Sequence, residues 1–247
     1  MSKYESKRRV LITGGTGSVG QALVAAFSAN GDIVTFQYCS NESSASTLQS
    51  SFHAEPLQLD FTTSTSLPST DFDVLVNNAG INISKHPCRD VARSDWDATI
   101  LVNVTIPFIL SQQCLPHMLG QKWGRIVNIS SIYGLRGVEG NLPYTVSKHA
   151  LSGLTKTLTK EYAEHNITCN EICPGPIDSE MMTRVSADRA RLEGVSLEDY
   201  MAEVCEEIPA RRLATPNEVS SLALYLASPI AAYINGAAIP VDGGLVA

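Results

Sequence analysis

The chain has 247 residues, 44% hydrophobic and 17% charged. That composition excludes a disordered chain, and the length suits one large domain or two small ones. Eighteen Lys and Arg against 25 Asp and Glu leave a net charge of −7, which excludes the basic footprint of a nucleic-acid binder and speaks only for solubility. No uninterrupted apolar run reaches the roughly 18 residues of a membrane span. Met1 to Arg9 is polar and lacks a signal-peptide centre, so a cytoplasmic protein without membrane partners is expected. Cys39, Cys88, Cys114, Cys169, Cys173 and Cys205 form no CxxC pair; free thiols and no metal are expected.

Short apolar runs alternate with helical patterns along the chain. Arg9 to Thr13 reads as a strand, and Val19 to Asn30 as a helix with Leu23, Ala26 and Phe27 on one face. Strands are expected at Asp32 to Tyr38, Glu55 to Phe61 and Asp73 to Val76. The Ser/Thr-rich stretch from Ser40 to Thr70 reads as surface loop and helix ends around the middle one. Asp95 to Met118 is mostly helical with a break near Pro107, and Arg125 to Ser130 is a strand. Tyr144 to His165 is a long helix with Leu151, Leu154, Leu158 and Tyr162 in one stripe. Ile167 to Cys173 is a strand ended by Pro174-Gly-Pro176. Asp178 to Ile208 is polar and helix-prone, Asn217 to Ala227 is a helix behind Thr215-Pro216, and Ala237 to Val241 is a last strand. This alternation predicts a single doubly wound, Rossmann-type α/β domain over residues 1–247, with a mostly parallel sheet of about seven strands and helices on both faces.

Two local patterns carry chemistry. The first strand runs into Thr13-Gly-Gly-Thr-Gly-Ser-Val-Gly20, and a helix follows. Gly15, Gly17 and Gly20 fit GxGxxG, where glycines let the backbone approach a pyrophosphate and the helix N-terminus offers free N–H groups. No Lys stands where a triphosphate loop needs one. Tyr144 and Lys148 are four apart near the start of the long helix and so share a face. An ammonium near a phenol favours its ionised form, which predicts a lowered tyrosine pKa and a group able to exchange a proton. Ser131, just past the fifth strand, is placed to polarise a carbonyl beside that phenol.

At these residues the chain resembles the short-chain dehydrogenase/reductase family in its classical form. The resemblance runs through Thr13-Gly14 with Gly20, Asp60, Asn77-Asn-Ala-Gly80, Asn103, Ser130-Ser131, Tyr144-Thr-Val-Ser-Lys148, Pro174-Gly-Pro-Ile177, Asn235-Gly236 and Val241-Asp-Gly-Gly244. It implies hydride transfer between a nicotinamide cofactor and a ketone or secondary alcohol. Tyr144 would be the general acid/base, Ser131 would hold the substrate oxygen, and Lys148 would tune the tyrosine and bind the nicotinamide ribose. Asn103 would hold a relay water with Lys148. The resemblance further implies that Gly14, Thr16, Gly17, Ser18, Val19 and Gly20 make the phosphate turn and that Asp60 meets the adenine. Asn78, Ala79 and Gly80 would line the adenosine ribose, and Pro174, Ile177 and Ser179 would face the carboxamide. A homotetramer, paired through the long helix and the C-terminal segment with Ala223, Leu224 and Tyr225, is also implied. The stretch from Ile208 to Pro216 and the tail resemble 3-oxoacyl-carrier-protein reductases, which allows an acyl thioester substrate. In the classical turn a glycine stands at position 18; here it is Ser18, and TGxxGxxG is the form of the extended branch with its epimerases and dehydratases. An epimerase or dehydratase and an idle dinucleotide sensor are therefore the alternatives.

The second strand ends Phe36-Gln-Tyr-Cys-Ser-Asn41 with no carboxylate before Glu42. The acid that would bind an NAD ribose and repel a 2′-phosphate is missing. Ser40 and Asn41 offer hydrogen bonds to that phosphate, so NADP is favoured over NAD, although no Arg or Lys stands in this loop or in the glycine turn. Residues 178–208 are expected to form a substrate lid. Asn82, His86, Tyr133, Glu139, Asn141, Met181 and Met182 are pocket candidates by position.

Overall fold

Seven parallel strands carry the core. β1 (Arg9–Ile12), β2 (Ile33–Tyr38), β3 (Glu55–Gln58), β4 (Val74–Asn77), β5 (Gly124–Ile129), β6 (Ile167–Pro174) and β7 (Ala238–Val241) lie in the order β3-β2-β1-β4-β5-β6-β7. Every neighbouring pair is parallel. The computed structural model describes residues 7–83 and 86–247; Met1 to Ser6, most of the polar N-terminal stretch, and residues 84–85 lie outside the described residues. β4, β5 and β6 are buried at every position, as strands covered on both faces must be. Strand order reverses between β1 and β4, and a doubly wound sheet opens its ligand crevice at that reversal.

Helices cover both faces. On one side α1 (Ser18–Ala29) and α8 (Pro216–Leu226) place Leu23, Val24, Phe27, Val219, Ala223 and Leu226 against Val10, Ile12, Val74 and Val76. On the other, α4 (Ile106–Gln121) and α5 (Leu142–Tyr162) bring Leu110, Cys114, Met118 and Leu158 onto Leu11, Leu75 and Ile126. Full burial of one such Leu or Phe contributes about 1.5–3 kcal/mol, so these two apolar layers dominate the stability.

Four features differ from expectation. α2 (Glu42–Phe52) is a full helix inside the stretch read as loop, capped by Asn41 Oδ1 accepting from Ser44 N at 3.0 Å and seated on Ala45 and Leu48. No break occurs at Pro107: α3 (Arg93–Ile100) passes through a π-helical turn, Leu101–Thr105, into α4, where Pro107 sits in the first turn. This continuous run, 93–121, is long and apolar enough by length and composition to cross a bilayer, yet half of its apolar window is buried in the fold. Ala223 is fully buried, so it cannot supply an exposed association surface; Tyr225, Ile230 and Tyr233 are the exposed apolar groups nearby.

Residues 178–208 form α6 (Glu180–Glu193) and α7 (Leu197–Glu207). α6 buries only Ser186 and Ala190, and α7 buries none of its side chains. Among the cysteines, Cys39 and Cys88 are exposed, while burial pushes the thiols of Cys114, Cys169 and Cys173 up to about 12.

Candidate active site

The glycine turn is built by backbone contacts. Gly14 has a φ of +65°, and a side chain there would strike Ala79 Cα at 2.9 Å. A Cβ at Gly20 would lie 2.1 Å from the Gly14 carbonyl oxygen, so this first turn of α1 can press onto β1 only as glycine. Gly17 meets nothing closer than 3.5 Å and caps α1. Ser18 is the first residue of that helix. Gln37 Oε1 accepts from Gly14 N at 2.9 Å, and Thr16 O accepts from Gln21 Nε2 at 2.9 Å.

Asn78 braces this turn: its Nδ2 donates to the carbonyls of Thr13 and Gly14 at 2.9 and 3.1 Å. Thr13 Oγ1 accepts from the backbone N–H groups of Asn78 and Ala79, both at 2.9 Å. Asp60 accepts from Thr62 N at 2.8 Å and Thr62 Oγ1 at 2.7 Å, and these bonds hold its carboxyl below the usual range. Asn41 spends its side-chain oxygen on the α2 cap.

At the C-terminal ends of β4 and β5 four polar side chains converge. Ser131 follows β5; its Oγ accepts from Tyr133 N at 3.2 Å and lies close enough to the Tyr144 phenol to favour its ionised form. Lys148 lies 5.4 Å from the Tyr144 ring centroid and donates from Nζ to Ile129 O at 2.9 Å. Asn103 sits on the π-helical turn; its Oδ1 accepts from Ile81 N at 2.9 Å and its Nδ2 donates to Ser147 Oγ at 3.0 Å. Ser147 in turn donates to Tyr144 O at 2.7 Å, tying Asn103 to α5. A Cβ at Gly80 would lie 3.5 Å from both Asn103 Oδ1 and Lys148 Nζ, so these two groups border one small space. π turns recur at functional sites because the extra residue re-aims a side chain.

The proton affinities differ from the sequence expectation. Burial pushes the Tyr144 phenol up to about 12, and the neighbouring Ser131 hydroxyl opposes that without overcoming it. Burial also brings the Lys148 ammonium down to about 8, against the pull of Cys173 and Glu171. The lowered tyrosine expected from the lysine does not occur, because removing a phenolate from water outweighs a cation 5.4 Å from the ring. Tyr144 is held as an acid.

Around this centre Tyr133 packs edge-on against Tyr144, 5.9 Å between centroids. Asn82 Nδ2 donates to Asn141 Oδ1 at 3.4 Å, and Arg189 of α6 donates to Glu139 O at 3.4 Å. His86 is exposed, as is Met181, and Met182 is half-buried. Ser179 caps α6 by accepting from Met182 N, Ile177 pairs with Ala214, and Pro174 ends β6. Among the described residues no group of three or more His, Cys, Asp or Glu is placed to hold a metal.

A sequence model of the family described as enoyl-(acyl carrier protein) reductase matches residues 14–246. The chain belongs to the short-chain dehydrogenase/reductase family. With that family come oxidoreductase chemistry and the doubly wound sheet seen here. The 3-oxoacyl-[acyl-carrier-protein] reductase FabG of Aquifex aeolicus is 39% identical over 173 residues, 70% of this chain and 65% of the relative, a little under two thirds of its length. Nodulation protein G of Azospirillum brasilense is 32% identical over 97% of this chain and 98% of its own. A Phe-to-Trp variant of actinorhodin polyketide ketoreductase, solved with NADPH, superimposes with a TM-score of 0.90 at 30% identity over 99% of both chains. None of these bears the name of an epimerase or dehydratase.

Sequence reasoning passed over three residues of this short-chain dehydrogenase/reductase site. Ser147 lies inside the Tyr144-to-Lys148 motif, a signal in itself, but spacing alone gives it no role. Arg184 and Arg189 lie on α6, far along the chain from the turn and the catalytic helix, and only the fold brings them near.

Proposed function

We propose that this protein is a reductase that prefers NADPH and interconverts a ketone and a secondary alcohol. The closeness of the Ser131 side chain to the Tyr144 phenol, with Lys148 one helical turn further on, carries that reading. The residues present fit a dinucleotide: Gly14 and Gly20 admit no Cβ, Gly17 leaves its side open, and a cavity of ≈ 700 Å³ lies against Ser18 and Ser179. A bound nicotinamide supplies the hydride to the carbonyl carbon.

The chain's own residues do the rest. Ser131 Oγ holds and polarises the carbonyl oxygen. Tyr144, protonated up to about pH 12, delivers the proton to it. Lys148 and Asn103 border the space at Gly80 from which a water reprotonates the phenol, and Lys148 holds the nicotinamide ribose. Gly14, Thr16, Gly17, Ser18, Val19 and Gly20 bind the diphosphate, with Asn78 bracing that turn. Ser40 and Asn41 face the 2′-phosphate, Asp60, Ala79 and Gly80 the adenosine, and Pro174, Ile177 and Ser179 the carboxamide. Residues 178–208 act as the lid of one domain, and a 3-oxoacyl thioester is among the substrates the relatives' names support. The protein works in the cytoplasm as a homotetramer; exposed Phe108 and Val146 on the long helices and Tyr225 after them offer apolar association faces. Light scattering checks the assembly.

The test is a panel of ketones and secondary alcohols with NADPH and NADH, read at the reduced-nicotinamide absorbance. Tyr144→Phe removes one hydroxyl and keeps the ring; it lowers turnover by about 10²–10⁴ while NADPH still binds. Near-normal turnover by that variant refutes the assignment.

A further inference from the structure

A cavity of ≈ 700 Å³ opens where the glycine turn meets α6 and α8. Ser18, first residue of α1, forms one wall, Pro216, first residue of α8, another, and Ser179, Thr183 and Arg184 the third. Ser179 is the N-cap of α6, so three helix N-termini border one space; those of α6 and α8 carry side-chain caps, from Ser179 and from the Thr215–Glu218 box, and that of α1 carries none. Asp178 and Glu180 also reach it and bring two carboxylates. Arg184 is the cation among the lining groups that offsets them. It stands four residues after Glu180, the spacing at which a helix pairs opposite charges, yet it makes no ion pair or hydrogen bond among the described residues. An exposed guanidinium that pairs with neither Glu180 nor Asp188, one turn to either side of it, is available to another anion. The glycine turn itself holds no Lys or Arg.

We propose that Arg184, carried on α6, is the charged contact to the cofactor's diphosphate, so that the lid rather than the turn supplies the cationic half of the grip. Ser18 fits the same account. At this position a glycine would give only its backbone, whereas Ser18 adds a hydroxyl-bearing residue to the lining that it shares with Arg184. The inference rests on the cofactor assignment above and adds a residue to it. It also distinguishes the two phosphates of NADPH: the diphosphate is shared with NADH, and the 2′-phosphate is not.

The test is direct binding, read as the Kd from nicotinamide fluorescence on mixing, with no substrate present. Arg184→Gln is expected to raise Kd five- to thirtyfold for NADPH and by the same factor for NADH, the range of one charge-assisted hydrogen bond at a partly exposed site. Arg184→Lys restores part of that loss. Arg191→Gln removes another exposed charge of the same helix, one already paired with Asp188 at 3.3 Å, and leaves both Kd values within twofold. Loss confined to NADPH places Arg184 on the 2′-phosphate and overturns the proposal. An unchanged Kd, or an equal effect of Arg191→Gln, overturns it as well. A wild-type protein that binds neither cofactor refutes the cofactor assignment itself, an outcome separate from those of the variants.

Discussion

Tyr144 and Lys148 occupy one face of α5, and burial moves them in opposite directions. The phenol rises to about 12 and the ammonium falls to about 8. Across the ordinary range the tyrosine keeps its proton and the lysine is the group that titrates. Reductive turnover is therefore expected to be flat below about pH 7.5 and to decline as pH rises through about 8; a profile still flat at pH 10 counts against a charged Lys148. The same shift bears on stability. The folded-state value of Lys148 lies below its usual 10.5, so the folded protein releases that proton first. Stability then rises with pH between about 8 and 10.5, and below about 8 the cost of burying the charge is fully present. Lys148→Met removes that cost, on the order of 3 kcal/mol, and loses the bond to Ile129 O, worth about 1 kcal/mol. The expected variant is inactive at pH 7 yet more stable by about 2 kcal/mol, as denaturant melts would record. A destabilised variant would show that the buried ammonium is better paired than its contacts indicate.

At the scale of elements, the glycine turn and α1 separate two uses of glycine that look alike in sequence. Gly20 is required by its own backbone neighbours, with the Gly14 oxygen 2.1 Å from where a Cβ would sit. Gly20→Ala is expected to cost several kcal/mol, beyond the roughly 1–3 of ordinary overpacking, and to lower Tm sharply. Gly17 has 3.5 Å of room, so Gly17→Ala leaves Tm close to the parent and weakens NADPH binding instead. Equal Tm losses would mean that the turn, not the ligand, requires both. The β/α alternation was legible because β4, β5 and β6 carry short apolar runs of Val, Leu and Ile and the helices between them are striped. α2 was not legible: Ser and Thr compete for its backbone, and only Ala45 and Leu48 of its eleven residues are buried. The π-helical turn at Asn103 was equally hidden, since a register change of one residue leaves helical composition untouched. Tyr144, Lys148 and Ser131 could be named from spacing, but the direction of the tyrosine shift could not, because desolvation depends on what the fold packs around the ring.

For the whole molecule, the contrast that matters is between a sheet buried on both faces and a two-helix segment that buries almost nothing. α7 has no buried side chain, so the packing free energy holding 178–208 in place is small. Amides from Met181 to Glu206 are therefore expected to exchange faster than those of β5 and β6, and to slow when NADPH and substrate are both added. Equal protection with and without ligand would argue against a lid. Arg184 and Arg189 both ride on this segment, one toward the cofactor cavity and one reaching Glu139 beside the catalytic helix.

The placement of the cysteines turns the protein into its own footprinting reagent. Cys39 and Cys88 are exposed, whereas three buried thiols stay protonated up to about pH 12. A mild alkylating agent at pH 8 consequently marks the first pair fastest, half-buried Cys205 on α7 more slowly, and spares the core. Cys39 directly follows β2, beside Ser40 and Asn41, and Cys88 lies in the 3₁₀ turn Cys88–Asp90 that follows β4. Mass spectrometry should find NADPH slowing the labelling of Cys39 while Cys88 reacts at an unchanged rate, which would locate the adenosine end of the ligand without mutating a residue. Identical rates at both thiols would put the adenosine elsewhere.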